Sequence, residues 1–142
     1  MAVILDSDAL SILQRRSQPA CSRLENRLSQ VPEEDVFTTI ESFQEQMRGW
    51  LAALHQARTD RRLLLAYSEL QSMLRDFCHL NILPFDAAAQ TEFKRLRRQK
   101  VRIGTMDLRI ASIALSTDST LLSRNLRDFE RVPGLAVEDW TR

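Results

Sequence analysis

Ala2-Val3-Ile4-Leu5-Asp6 is the stretch that decides the fold class of this chain. Four adjacent apolar residues leave no polar face, so a strand built from them must be covered on both sides. That is the condition of a parallel sheet lying between helices. The carboxylate that ends the run falls where open α/β sheets gather ligand-binding side chains, beyond the C-terminal edge of the strands.

The rest of the chain continues this alternation. A helix is expected from Asp8 to about Gln14 and another from about Pro19 to Ser29, proline being suited to a first helical turn. Val36-Phe37-Thr38-Thr39-Ile40 is β-rich and reads as a second strand. Phe43, Met47, Trp50 and Leu54 then recur at helical spacing and mark an amphipathic helix. The next helix covers residues 61–79, with Leu63, Ala66, Leu70, Met73 and Phe77 on its stripe. Leu80 to Phe85 reads as a short third strand, made irregular by Asn81 and Pro84. Asp86 caps a helix running towards Gln99, and residues 107–117 form another, with Ile110, Ala111 and Ala114 on one face. Thr120-Leu121-Leu122-Ser123 and Leu135-Ala136-Val137 supply the last strands. The pattern implies a three-layer α/β/α sandwich around a parallel sheet of four to five strands. No repeat, low-complexity segment or linker interrupts residues 1–142, so one domain is expected.

Hydrophobic residues make up 44% of the chain and charged residues 27%, a globular composition rather than a disordered one. Met1 leads directly into the first strand, so no secretory leader is expected. The apolar runs are too short to cross a bilayer. Cys21 and Cys78 lack metal-ligand spacing and are expected to be buried, reduced thiols in a cytoplasmic protein. His55 and His79 have no partners at ligand spacing. With only three glycines, the chain cannot carry a dinucleotide fingerprint or most phosphate-cradling loops. A net charge of +1 gives little global attraction for nucleic acid, yet 18 of the 20 basic residues are arginine. Arginine grips phosphate bidentately and stacks on bases, although codon bias gives the same count.

The chemistry is carried by acidic residues spread along the sequence. Asp6 reads as a ligand at the sheet edge or as a helix cap, a role Asp8 could also fill. Glu41 and Glu45 stand one helical turn apart, opposite the Phe43/Met47/Trp50/Leu54 stripe. They face either solvent or the crevice. Asp107 shares a face with Ile110, Ala111 and Ala114, so it points towards packed structure and needs a cation, a base or helix-terminal amides. Ser123, Asn125 and Asp128 follow the fourth strand, where turn chemistry or a role beside a metal ion would each account for them. Carboxylates drawn from distant segments repel one another unless a cation lies between them, and an oxygen-only set suits Mg²⁺ or Mn²⁺. The expectation is a metal-dependent phosphodiesterase. Six of the nine residues from Lys94 to Arg102 are basic. Arg95, Arg97, Arg98, Lys100 and Arg102 form either a solvated helix end or a phosphate-gripping patch that leads into Asp107.

Taken in order, these segments resemble the PIN-domain ribonucleases, most closely the VapC-type toxins of bacterial toxin–antitoxin pairs. Leu5-Asp6-Ser7-Asp8 is similar to the family's opening Leu-Asp-Thr-Asn. Glu45-Gln46-Met47-Arg48-Gly49 resembles its helical glutamate followed four residues later by glycine, which selects Glu45 over Glu41. Asp107-Leu108-Arg109-Ile110-Ala111 resembles its Asp-x-x-Ile-Ala segment. Ser123-Arg124-Asn125 and Phe129, followed by Val132-Pro133-Gly134-Leu135 and Glu138-Asp139-Trp140, resemble its C-terminal signature. The resemblance implies a homodimer that cleaves RNA, often tRNA or rRNA, with Mg²⁺ or Mn²⁺, and an antitoxin partner. It implies that Asp6, Glu45 and Asp107 hold the metal, joined by Asn125 or Asp128. Arg124, in the segment after the fourth strand, is a further candidate RNA contact. Ser7 and Asp8 depart from the usual Thr and Asn, and Asn125 stands near where many members have an aspartate.

Two other readings compete. Asp6-x-Asp8 is similar to the nucleophile motif of haloacid-dehalogenase-like phosphatases, but no Gly-Asp-x-x-x-Asp segment follows. The second is a catalytically silent PIN-like module that binds RNA or protein, which would gain nothing from clustered like charges.

Overall fold

Val3, Ile4 and Leu5 form β1 (Val3–Leu5) in a computed structural model that describes residues 1–142. Their side chains alternate between two separate cores: Ile4 joins one, Val3 and Leu5 the other. Leu121 and Leu122 of β4 (Thr120–Leu122) divide in the same way. The unbroken apolar runs therefore belong to strands covered on both faces.

Between these strands lie α1 (Ser7–Arg15), α2 (Ala20–Leu28), β2 (Val36–Thr39), α3 (Ile40–Gln56), α4 (Asp60–Cys78), β3 (Asn81–Leu83), α5 (Ala87–Arg98) and α6 (Thr105–Ser116). The chain ends through a one-turn helix α7 (Leu126–Phe129) and β5 (Val137–Glu138). The five strands form one sheet in the order β3-β2-β1-β4-β5, with every pairing parallel. One face carries α5, α6 and α7 through Phe93, Leu96, Ile110, Ile113 and Phe129. The other carries α1, α2 and α4 through Leu10, Leu24, Met73 and Phe77, with Phe43, Met47 and Trp50 of α3 alongside. This is the expected three-layer sandwich, with five strands.

Local sequence sets most boundaries. Thr39 ends β2 and caps α3, its hydroxyl accepting from the Ser42 amide. Asp86 caps α5 through the Ala89 amide at 3.0 Å. Helix α6 starts two residues earlier than expected, at Thr105, because Gly104 takes the cap position without a side-chain bond. The last strand is displaced to Val137–Glu138, and α7 was not anticipated, a single turn being too short for periodicity to reveal. Two packing expectations are corrected. Cys21 is buried, but Cys78 is exposed at the last residue of α4, since its neighbour Phe77 takes the inward position. Leu63 also lies exposed, as do Leu51, Leu64, Leu65, Tyr67 and Leu74 on the α3–α4 hairpin.

Candidate active site

β1 and β4 are neighbours, yet the chain leaves β1 towards β2 on one side and leaves β4 towards β5 on the other. Connections that part in this way open a crevice at the C-terminal ends of the two strands. Asp6 is the first residue beyond β1, and its amide donates to the Leu122 carbonyl of β4 at 3.1 Å. Its Oδ1 accepts from the Ala9 amide at 2.7 Å, so it caps α1 while facing the crevice. Asp6 is the cap of α1, and it stands at the sheet edge as well. Asp6 is buried, and this raises its pKa from 3.8 to about 6. Hydrogen bonds from Ser123 and Ala9 oppose the burial, while the charges of Asp8 and Asp107 add to it.

Glu45 reaches the same place from the second turn of α3. The Ser7 hydroxyl donates to its Oε1 at 3.1 Å and lies 3.0 Å from the Ser42 hydroxyl. Asp107 enters from the first turn of α6, half-buried, with its pKa raised by burial and then by the charges of Glu45 and Asp128. The charge of Asp107 reaches Asp6 and that of Glu45 reaches Asp107, so Asp107 links the three carboxylates at one sheet edge. No three acidic, histidine or cysteine side chains are close enough to grip one ion as a finished cage. The acids are coupled by charge, and their all-oxygen chemistry fits a hard divalent cation that would relieve that repulsion.

The two candidates after β4 separate. Asn125 donates its side-chain amide to Asp128 Oδ2 at 3.0 Å, and its backbone amide donates to Ser123 Oγ at 2.9 Å. Its side chain is engaged in holding Asp128, whose charge is the one that reaches Asp107. Sequence reasoning missed the hydroxyls of Ser7 and Ser42, which steady Glu45. Their signal was the placement of small polar residues one position past Asp6 and three before Glu45.

Of the two readings open to Glu41, solvent or crevice, burial excludes the solvated one. It is buried, and its Oε2 has no hydrogen-bond partner. Burial raises its pKa, with Arg109 drawing it down and Glu45 pushing it up. Its ionised form is disfavoured in the fold, so the penalty is absent at low pH and grows as pH rises past the usual carboxylate range. Glu41→Leu is therefore expected to stabilise the protein by about 1 kcal/mol near pH 8 and by less near pH 4, measured by urea unfolding at both.

The basic run also divides. Arg95 is committed to Glu92 at 2.7 Å. Arg97 and Arg109 each stand 5.6 Å from the Phe93 ring centre. Arg97, Lys100 and Arg102 line one cleft with Phe93, Thr105 and Leu108, beside the helix turn that bears Asp107. Arg98 is exposed, and Arg124 pairs with Asp8.

The PIN domain family model matches residues 3–135. A tRNA(fMet)-specific endonuclease VapC from Shigella flexneri is 38% identical over 66 residues, 44% of this chain and 50% of that protein. Ribonuclease VapC2 from Rickettsia felis is 34% identical over 67 residues, again 44% and 50%. The matched stretch spans about half the length of these curated relatives. VapBC-1 from nontypeable Haemophilus influenzae shares the fold, with a TM-score of 0.74 at 21% identity over 100% of both chains. The family model covers nearly the whole chain, and the chain belongs to the PIN domain family.

Proposed function

We propose that this protein is a Mg²⁺- or Mn²⁺-dependent endoribonuclease, the toxin of a toxin–antitoxin pair. The observation that carries this reading is the convergence of Asp6, Glu45 and Asp107 at the β1/β4 crevice, with two of the three held towards the neutral form by burial and mutual repulsion. Asp6, Glu45 and Asp107 would hold the cation, with Asp128 beside Asp107. When bound, the ion would acidify a water and offset charge on the phosphate. Ser7 keeps Glu45 from swinging out, and the Ala9 amide fixes Asp6 Oδ1. One of these carboxylates would take up the proton released as water attacks.

Arg97, Arg98, Lys100 and Arg102 supply phosphate contacts on the flank of Asp107, with Arg95 held back by Glu92. Replacing Arg97 and Arg98 together by alanine should weaken RNA binding and lower the slope of log affinity against log salt by about one to two. Fluorescence anisotropy across a salt series measures both. Structured RNAs such as tRNA or rRNA loops are the substrates we favour, because the named relative from Shigella flexneri is a tRNA endonuclease. The toxin reading draws on the VapBC likeness, and the apolar side chains exposed on the α3–α4 hairpin give a second copy or an antitoxin something to cover. No helix is long and apolar enough to cross a membrane, and RNA of this kind would be met in the cytoplasm.

A silent binding module draws on one observation, the lack of a preassembled three-acid cage. Purified protein incubated with total cellular RNA separates the readings. Discrete fragments that need Mg²⁺ or Mn²⁺, disappear with chelator and are absent for Asp107→Asn support the nuclease. Intact RNA in every lane supports the module.

A further inference from the structure

Asp8 and Arg124 meet across the mouth of the crevice. Asp8 lies in the first turn of α1, two residues past Asp6, and Arg124 follows Ser123 at the end of β4. Arg124 Nε donates to Asp8 Oδ2 at 2.7 Å and its Nη2 donates to Oδ1 at 3.0 Å. The contact is bidentate, the strongest geometry open to the pair. The two side chains are 50% and 48% exposed, and a pair so wet contributes little to stability. Its value lies in where it holds the guanidinium. A guanidinium is a planar fork with two edges. Asp8 occupies the Nε/Nη2 edge, and Nη1 makes no hydrogen bond within the chain. The outer Nη1/Nη2 edge of this half-exposed side chain makes no hydrogen bond to a second residue, its orientation is fixed by Asp8, and Asp139 and Asp6 are the other charges that act on it. A guanidinium held in this way loses less conformational freedom on meeting an anion than a free one.

We propose that Asp8 and Arg124 form a phosphate clamp, in which Asp8 is a positioning residue and the outer edge of Arg124 grips the non-bridging oxygens of a nucleic-acid phosphate at the crevice mouth. The inference rests on the nuclease reading for the identity of its ligand, an RNA strand. It has a consequence that simple electrostatics reverses. Removing the Asp8 charge should attract RNA if Asp8 only repels it, but should weaken binding if Asp8 aims Arg124.

The test is anisotropy of a labelled RNA oligonucleotide in chelator, so that nothing is cut, with wild type, Arg124→Ala, Arg124→Lys and Asp8→Asn across a salt series. Thermal unfolding verifies that each variant is folded. The clamp predicts about tenfold weaker binding for Arg124→Ala, with the salt slope reduced by about one. Arg124→Lys should bind as weakly as Arg124→Ala, since an ammonium has no second edge. Asp8→Asn should bind roughly threefold more weakly despite the lost negative charge. Tighter or unchanged binding by Asp8→Asn overturns the clamp, as does wild type that fails to bind. Wild type that binds with the predicted pattern yet never cuts RNA with Mn²⁺ present would retire the nuclease reading and leave the clamp standing.

Discussion

Asp6→Asn is expected to lower RNA cleavage by more than about a hundredfold and, at the same time, to make the metal-free protein more stable. Even partners behind a metal ligand are worth ten- to a hundredfold, so loss of a ligand's charge should cost more. The gain in stability follows from the carboxyl's displaced titration. Its pKa is raised from 3.8 to about 6 in the fold, chiefly by burial. Such a group favours the folded state only while protonated. Relative to a neutral side chain, the penalty is absent below about pH 4, grows between there and 6, and is complete above 6. A shift of this size corresponds to something on the order of 3 kcal/mol. Asparagine keeps the side-chain oxygen that accepts from the Ala9 amide, so the α1 cap survives. Thermal unfolding in chelator should show the variant melting higher by about 10 °C near pH 7.5 and level with wild type near pH 3.5. An unchanged Tm at pH 7.5 would mean that Asp6 is not held against its charge.

Phe129→Ala should be the most damaging single truncation of the fold. The ring is fully buried in the core beneath α5 and α6. Its loss removes transfer energy and leaves a cavity, together worth about 3–5 kcal/mol, a large part of the 5–15 kcal/mol that typically separates folded from unfolded domains. Phe129 also anchors the single turn that carries Asp128, whose charge reaches Asp107. Urea unfolding should record the loss of stability. Cation affinity measured well below the unfolding midpoint should fall as well, which a core truncation far from the site would not produce.

The parts of this fold that could be read in the sequence are those with strong local causes. Val3-Ile4-Leu5 and Leu121-Leu122 are apolar on both faces because both faces are covered, and that fact alone implies a sheet between helices. Asp86 and Asp6 announce the helices they cap. Asp107 was legible because it breaks an apolar face. Glu41 was not, since a glutamate one turn before Glu45 has a helical address identical to that of a solvated residue. Its burial comes from the tertiary packing of α3, with the Arg109 charge within reach. The Asp8–Arg124 pair joins residues 116 positions apart, a meeting set by sheet order and carried by no local pattern. The separation of Asn125 from Asp128 likewise depends on the turn α7, which is too short to leave a periodic trace.

The central claim is that Asp6, Glu45 and Asp107 act as one cation site, and Mn²⁺ titration tests it without any substrate. Calorimetry of wild-type protein stripped with chelator, beside Asp6→Asn and Asp107→Asn, should give saturable Mn²⁺ binding that either substitution weakens at least about tenfold, with Mg²⁺ competing. Binding of equal strength in all three proteins, or none to folded wild type, would contradict the account.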